Sequence, residues 1–397
     1  MISEPWKIVI AIFIILTFTS GLGFYIQAIL VQGLIGKGFS IELASSGISI
    51  FFLSTGVAGL VIGRLLELVD IRWIVGIGAL MFAGALVSIG RVSSPWELYV
   101  AYIVFGIGYS ATSILPSTTL IARWFRDNQS RAMSIAMTGL SFGGFFLTPL
   151  SAMLMEDHGL TMAVDSLAVL LLVGVLPITL MYLRSYPEGE TGGRGGNVAL
   201  EGIDFHGAVR QHFFWGLTFL YALVMISQVG GIAHQYGVLT ERLTVTQASL
   251  GVAVMPLFSI IGRLLGGLIL EFVATLRFAI VMMAVQGFAL MMIGSAQSVY
   301  GLYFGLALFG SAMGNVLMLQ ALIISEVYGP RHYGRLFSLS NMLMVCGFSS
   351  GPFMMGWLQS TSGDYSLPYW FAGSLCFVGA LFLGVIRPPN QKASSRQ

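Results

Sequence analysis

Arg263 is set deep inside an apolar run, where the other basic residues of the sequence stand at run edges. Glu271 marks the end of that run, eight residues further on. At about 1.5 Å per helical residue the arginine lies about 12 Å inside, against about 15 Å for half a bilayer's hydrocarbon. A charge at that depth costs at least ~2.5–3.5 kcal/mol, and no Asp or Glu lies within one helical turn to offset it. Two chemistries answer this. An anionic ligand supplies the counter-charge, its carboxylate held bidentately by the planar guanidinium, or backbone carbonyls and cavity water satisfy the arginine. The depth of Arg263 favours the ligand. Ser259, one turn earlier, adds a hydroxyl. His234 stands in another apolar run, and histidine is the side chain that changes charge between about pH 5 and 8. It is the candidate proton-coupling residue; a plain interfacial histidine is the alternative. Further polar residues recur at the seven-residue spacing of one helical stripe. These are Tyr102, Tyr109 and Pro116; Tyr221, Gln228 and Gln235; and Ser20 and Gln27, with Tyr25 beside them. Asn315 and Asn341 stand in two later runs. The candidate substrate-binding set is therefore Arg263, Ser259, Tyr25, Gln27, Tyr109, Gln228, His234, Asn315 and Asn341. For any single Tyr, Gln or Asn the competing reading is an interhelical hydrogen bond, worth about 0.6 kcal/mol.

The frame around these residues is almost wholly apolar. Of 397 residues, 56% are hydrophobic and 9% charged, against about 25% charged in a soluble domain. A soluble fold and disorder are both excluded. A net charge of +2 offers nothing to a nucleic acid. Cys346 and Cys376 form no disulfide framework and no metal cluster. With no nucleophile triad or phosphate loop in the sequence, no enzyme, metal or cofactor is expected. What remains is an all-α polytopic membrane protein. Twelve runs reach the length of a span, at roughly 7–34, 42–66, 73–91, 96–124, 131–155, 161–183, 213–240, 246–271, 277–295, 299–326, 333–360 and 367–386. Continuous apolar runs without alternation exclude a β-barrel. With the N-terminus inside, the inner ends and loops carry 15 Lys and Arg and the outer ones 3. That bias predicts a multi-pass protein of the cell inner (plasma) membrane with both termini cytoplasmic.

The longest polar stretch lies between spans six and seven and holds the run Gly192-Gly193-Arg194-Gly195-Gly196, a linker composition. It predicts an N-terminal six-helix bundle at 1–183, a cytoplasmic linker at 184–212, a C-terminal six-helix bundle at 213–388 and a cytoplasmic tail at 389–397. A shift of 204 residues superposes the halves. Ala44, Ser45 and Gly47 fall on Ala248, Ser249 and Gly251, Phe105-Gly106 on Phe309-Gly310, and Arg131, Ser134 and Gly143 on Arg335, Ser338 and Gly347. Parallel six-span repeats place a binding site between the halves near the midplane. The loops after spans two and eight read Gly63-x3-Glu67 with Arg72, and Gly267-x3-Glu271 with Arg277. Gly63, Glu67, Arg72, Gly267, Glu271, Arg131 and Arg335 are the candidate gating residues.

Architecture and loops resemble the major facilitator superfamily. The stretch Pro116-x6-Arg123-Trp124-Phe125-x5-Arg131-Ala132-x-Ser134-Ile135-Ala136-x2-Gly139-x3-Gly143 is similar to the span-four-to-five signature of its monocarboxylate porter family. Arg263-x3-Gly267, Tyr186-Pro187-Glu188 and the stretch from Ala208 to Trp215 resemble bacterial members. The resemblance implies that spans one, four, seven and ten line the cavity, that the span-eight arginine binds the substrate carboxylate, and that transport is coupled to protons. Two positions depart from the pattern. Ser259 stands where the family often carries an acid, and span one has Tyr25 and Gln27 where many animal members carry a lysine. The expected function is secondary active transport of a small monocarboxylate by alternating access. The partners are a small organic anion, protons and the lipid bilayer, with a monomer as the expected state. The alternatives are an exporter of amphipathic organic compounds, which would pair its apolar pocket with a membrane acid, and a transport-fold sensor.

Overall fold

A computed structural model describes residues 4–125, 127–186, 202–386 and 388. Arg126, the linker's Glu188 and glycine run, Arg387 and the tail at 389–397 lie outside the described residues. Among those described, the regular elements are helices, with no strand.

Span one is α1 (Glu4–Ser20), a π-helical turn (Gly21–Tyr25) and α2 (Gln27–Gly36). Spans two and three are α3 (Ile41–Leu68) and α4 (Ile71–Ile89). Span four is α5 (Pro95–Thr112) and α6 (Ile114–Trp124). Spans five and six follow one another in α7 (Gln129–Tyr182), which turns at Gly159 with φ 74°. A short α8 (Phe205–Val209) precedes span seven, which is α9 (His212–Ala233) and α10 (Gln235–Arg242). Spans eight to twelve are α11 (Val245–Ile269), α12 (Thr275–Ser295), α13 (Val299–Tyr328), α14 (Tyr333–Ser362) and α15 (Ser366–Val385). Nine of these stretches are long and apolar enough to cross a membrane. The second arm of α7, α11 and α14 complete the twelve. The chain divides into two compact units, Met1–Gly202 with Pro330–Met342, and Ile203–Gly329 with Leu343–Gln397. The head of span eleven, which the sequence division numbers with the second half, groups with the first unit.

Local chemistry sets the boundaries. The Asp70 carboxylate accepts from Arg72 N at 2.9 Å and opens α4. Ser94, Pro95 and Glu97 form a capping box with proline in the first turn of α5. Thr244 and Gln247 do the same for α11. Pro116 cannot donate to the Thr112 carbonyl, and the helix breaks at Ser113 between α5 and α6. On α11 the exposed side chains Leu257, Ile261, Leu264, Leu265 and Leu268 form the lipid-suited face, while Ser259, Gly262, Arg263, Gly266 and Gly267 are buried.

The 204-residue repeat persists at the level of atoms. A Cβ on Gly106 of α5 would meet the Phe51 carbonyl of α3 at 2.5 Å. Gly310 of α13 presses in the same way on the Met255 carbonyl of α11. These pairs are related by the same offset. The cations that end span one and span seven also do matching work. Lys37 Nζ donates to the Gly90 and Val92 carbonyls at 2.8 and 3.0 Å, just beyond α4. Arg242 Nη1 donates to the Ile293 and Ala296 carbonyls at 2.9 Å each, at the end of α12. Asp165, a turn inside span six by sequence, forms a bidentate pair with Arg91 at 2.6 and 2.7 Å.

Candidate substrate site

In the second unit the close approach of α11 and α13 builds the surroundings of Arg263. Gly262 and Gly266 on α11 face Ser311 and Asn315, while Gly310 and Gly314 on α13 face Met255 and Ser259. Only glycines allow backbones this near. Arg263 is 3% exposed, and its Nε donates to the Gly314 carbonyl at 2.7 Å. That bond fixes the plane of the guanidinium. Its other edge, the two terminal nitrogens, has the geometry that suits a carboxylate. Asn315 Nδ2 donates to the Gly262 and Ser311 carbonyls at 2.8 and 2.9 Å, tying α13 back to α11 one residue from Arg263. Its Oδ1 lies against Gly266 and has no hydrogen-bond partner among the described residues. Ser259 is fully buried beside Gly314. Thus Arg263, Ser259 and Asn315 are brought together. The Gly314 carbonyl is the partner of Arg263 that spacing arguments pass over, because a backbone oxygen carries no sequence signal.

Elsewhere in this unit, Gln228 on α9 is buried, and its Oε1 has no partner among the described residues. His234 stands apart from Arg263, at the break between α9 and α10. Its Nε2 lies 3.0 Å from the Pro352 carbonyl in α14, and its Nδ1 lies 3.4 Å from the Tyr365 hydroxyl.

In the first unit Tyr25, Gln27 and Tyr109 gather at the π-turn of span one. Gly23 leaves the space that the Tyr109 ring fills, and Gly144 of α7 does the same for the Tyr25 ring. Gln27 Nε2 donates to the Gly23 carbonyl at 2.8 Å, which points its buried Oε1 away with no partner among the described residues. Tyr109 also packs against Phe51 and Phe82, with centroids 5.1 and 6.2 Å away. π-Turns inside α-helices occur often at functional sites. Asn341 is half-buried, on the part of α14 grouped with this unit.

The gating candidates separate. Gly63 lies against Gly334 and Ser338 at the head of α14. Glu67 Oε1 accepts from His332 Nδ1 at 2.9 Å, and Arg335 Nη1 is 3.9 Å from Oε2. Arg72 pairs with Asp70 at 3.1 Å through both Nε and Nη2. Burial alone would raise the Asp70 carboxyl, but the Arg72 hydrogen bonds outweigh it and hold it below the ordinary carboxylate range. Arg131 is exposed, 6.0 Å over the Trp6 ring. Gly267 is buried and Glu271 exposed. Sequence reasoning missed His332. A cavity of about 360 Å³ at the ends of α11 and α13 is lined by Leu270, Thr275, Ile323 and Glu326 among others, and by none of the predicted substrate residues.

Comparison with known proteins places this geometry. The chain is 25% identical over 393 residues to the probable transporter MCH2 of Saccharomyces cerevisiae, covering 96% of this chain and 80% of that one. It is 23% identical over 315 residues to monocarboxylate transporter 13 of Rattus norvegicus, covering 76% and 71%. Among solved structures, the Escherichia coli fucose:proton symporter FucP matches with a TM-score of 0.75 at 13% identity, covering 96% and 98%. The human organic anion transporter MFSD10 matches with a TM-score of 0.75 at 14% identity, covering 96% and 100%. The model of the Major Facilitator Superfamily matches residues 13–240 and 213–397. The chain belongs to the Major Facilitator Superfamily, and it is a polytopic membrane transporter with the twelve-helix fold of that family.

Proposed function

We propose that this transporter carries a small monocarboxylate, such as a lactate- or pyruvate-like anion, together with a proton, by alternating access. One observation carries the reading: a buried guanidinium in mid-helix whose Nε donates to the Gly314 backbone carbonyl. Arginine tolerates such a site when its planar fork meets a planar anion. The relative named monocarboxylate transporter 13 supports the same substrate class. Ser259 and Asn315 supply the short-range polar surroundings, and the Tyr25, Gln27 and Tyr109 group is the proposed contribution of the first half. His234 is the proposed proton carrier, and the expected location is the cell inner membrane with both termini cytoplasmic. The test is Arg263→Lys and Arg263→Ala in proteoliposomes, with binding of short carboxylates followed by thermal shift. Ala is expected to abolish carboxylate binding, and Lys to weaken it at least tenfold, since it keeps the charge and loses the fork. Wild-type transport by Arg263→Ala would place the site elsewhere.

A further inference from the structure

The cavity of about 360 Å³ lies within the second unit. It opens among the head of α9, the turn from α11 to α12, the end of α13 and Pro388 beyond α15. Its volume falls in the range of small-ligand sites, ~300–1,000 Å³. Phe213, Leu270, Val273, Ile323 and Val327 give it apolar walls. Against them stand two polar side chains, Thr275 and Glu326, and no lining residue among those described is basic. The Thr275 hydroxyl donates its hydrogen to Glu326 Oε1. One hydroxyl does not fill a carboxylate, which accepts at about four lone-pair sites. Glu326 is exposed, so a ligand arriving from water can reach it.

This chemistry belongs to the second half alone. The 204-residue offset puts Asp70 on Ala274 and Ala122 on Glu326. In the first half the acid stands at the turn and caps α4. In the second, Ala274 at the turn lines the cavity, and the acid stands on α13. The N-terminus of α12 brings about half a positive charge to the same place, and the full charge of Glu326 outweighs it. An anion would stand beside a carboxylate, whereas a cation finds its counter-charge.

We propose that this cavity binds a small organic cation, a primary ammonium on an apolar body, at a site separate from Arg263. The body displaces water from Phe213, Leu270 and Ile323, and the ammonium donates to Glu326. A bound ligand would join the head of span seven to the ends of spans eight and ten. It shares no residue with the candidate substrate set, so it does not compete with a carboxylate.

The test is equilibrium binding of phenylethylammonium to the intact purified protein at neutral pH. Phenylethanol and phenylpropionate serve as probes of similar shape with no charge and the opposite charge. The amine should bind about tenfold more tightly than the acid, since attraction is exchanged for repulsion at a water-exposed charge. Inorganic ammonium, which has no apolar body, should not displace it. Glu326→Gln keeps an acceptor for Thr275 and removes the charge. It should weaken the amine about three- to fivefold and leave phenylethanol as it was. Val273→Trp, at an exposed position of the turn, fills the mouth and should abolish binding of both. A saturating short monocarboxylate should leave amine binding unchanged. No measurable amine binding, equal binding of amine and acid, or a Glu326→Gln protein that keeps the full preference would overturn the proposal. So would displacement of the amine by the monocarboxylate, which would place both in one site. The comparison of the three probes on the wild-type protein decides the matter even where a variant fails to fold.

Discussion

The Pro352 carbonyl cannot donate, so His234 Nε2 must carry a hydrogen at their 3.0 Å separation. Nδ1 faces the Tyr365 hydroxyl, which donates to the neutral ring and turns to accept from the charged one. The proposed role of His234 as proton carrier would thus require only the rotation of one hydroxyl. His234→Gln should flatten the pH dependence of uptake in proteoliposomes more than it changes apparent affinity. An unchanged pH profile in that variant would remove His234 from the coupling. The sequence singled out His234 by its place in an apolar run. It could not supply Pro352 and Tyr365, which lie 118 and 131 residues away. Arg263 was legible for the opposite reason: its depth and the lack of a nearby acid are both local facts. The pairing of Arg72 with Asp70, the cap of its own helix, is a contact that the loop motif alone does not show.

Helix ends and seams were legible wherever the repeat could be read against itself. Asp70 caps α4, and 204 residues later the corresponding position is Ala274, which has no side chain with which to cap α12. There the Glu326 carboxylate of α13 accepts from the side-chain hydroxyl of Thr275 at 2.5 Å, in the first turn of α12. Glu326→Ala should destabilise the protein by about 1 kcal/mol, as loss of a hydrogen bond does, and Thr275→Val, which removes the other partner, should cost about the same. A thermal melt of the two single variants and the double variant checks this, and strict additivity of the two substitutions would count against the shared role. The glycine pairs behave as packing, as their spacing predicts. Gly139 and Gly143 lie on the Phe13 and Thr17 carbonyls, and Gly347 and Gly351 on those of Ala222 and Ile226. Backbone cannot yield as a side chain can, so Gly106→Ala and Gly310→Ala should each cost about 1–3 kcal/mol. The sequence could not predict the π-turn at Gly21–Tyr25, since its cause lies in packing against α7 and Tyr109 rather than in local propensity.

Across the whole molecule the two halves share a frame and differ in charge. The 204-residue offset that relates Gly106 to Gly310 also relates Gly59 on α3 to Arg263 on α11. Where the second half places its buried cation, the first half has no side chain at all. On the proposed reading, a dianion would bring one carboxylate to Arg263 and a second for which the sequence offers no other mid-span cation. Leaving that charge desolvated costs several kcal/mol, and each 1.4 kcal/mol is tenfold in affinity. The transporter should therefore prefer monocarboxylates to oxalate, malonate or succinate by roughly a hundredfold or more. The repeat also names the position at which that preference can be changed. A Cβ on Gly59 would meet only Ser110 Oγ at 3.5 Å and Leu115 Cδ2 at 3.9 Å, which are ordinary contacts. Gly59→Arg restores the missing cation in register, at an insertion cost of about 2.5–3.5 kcal/mol. In a protein that still melts cooperatively, it should narrow the gap between a dianion and a monoanion by at least tenfold in a competition assay, while Gly59→Leu leaves the gap as it was. Equal displacement of bound substrate by mono- and dicarboxylates in the wild-type protein would mean that a second cation reaches the site. An unchanged gap in Gly59→Arg would mean that the repeat relates the helices without relating their binding surfaces.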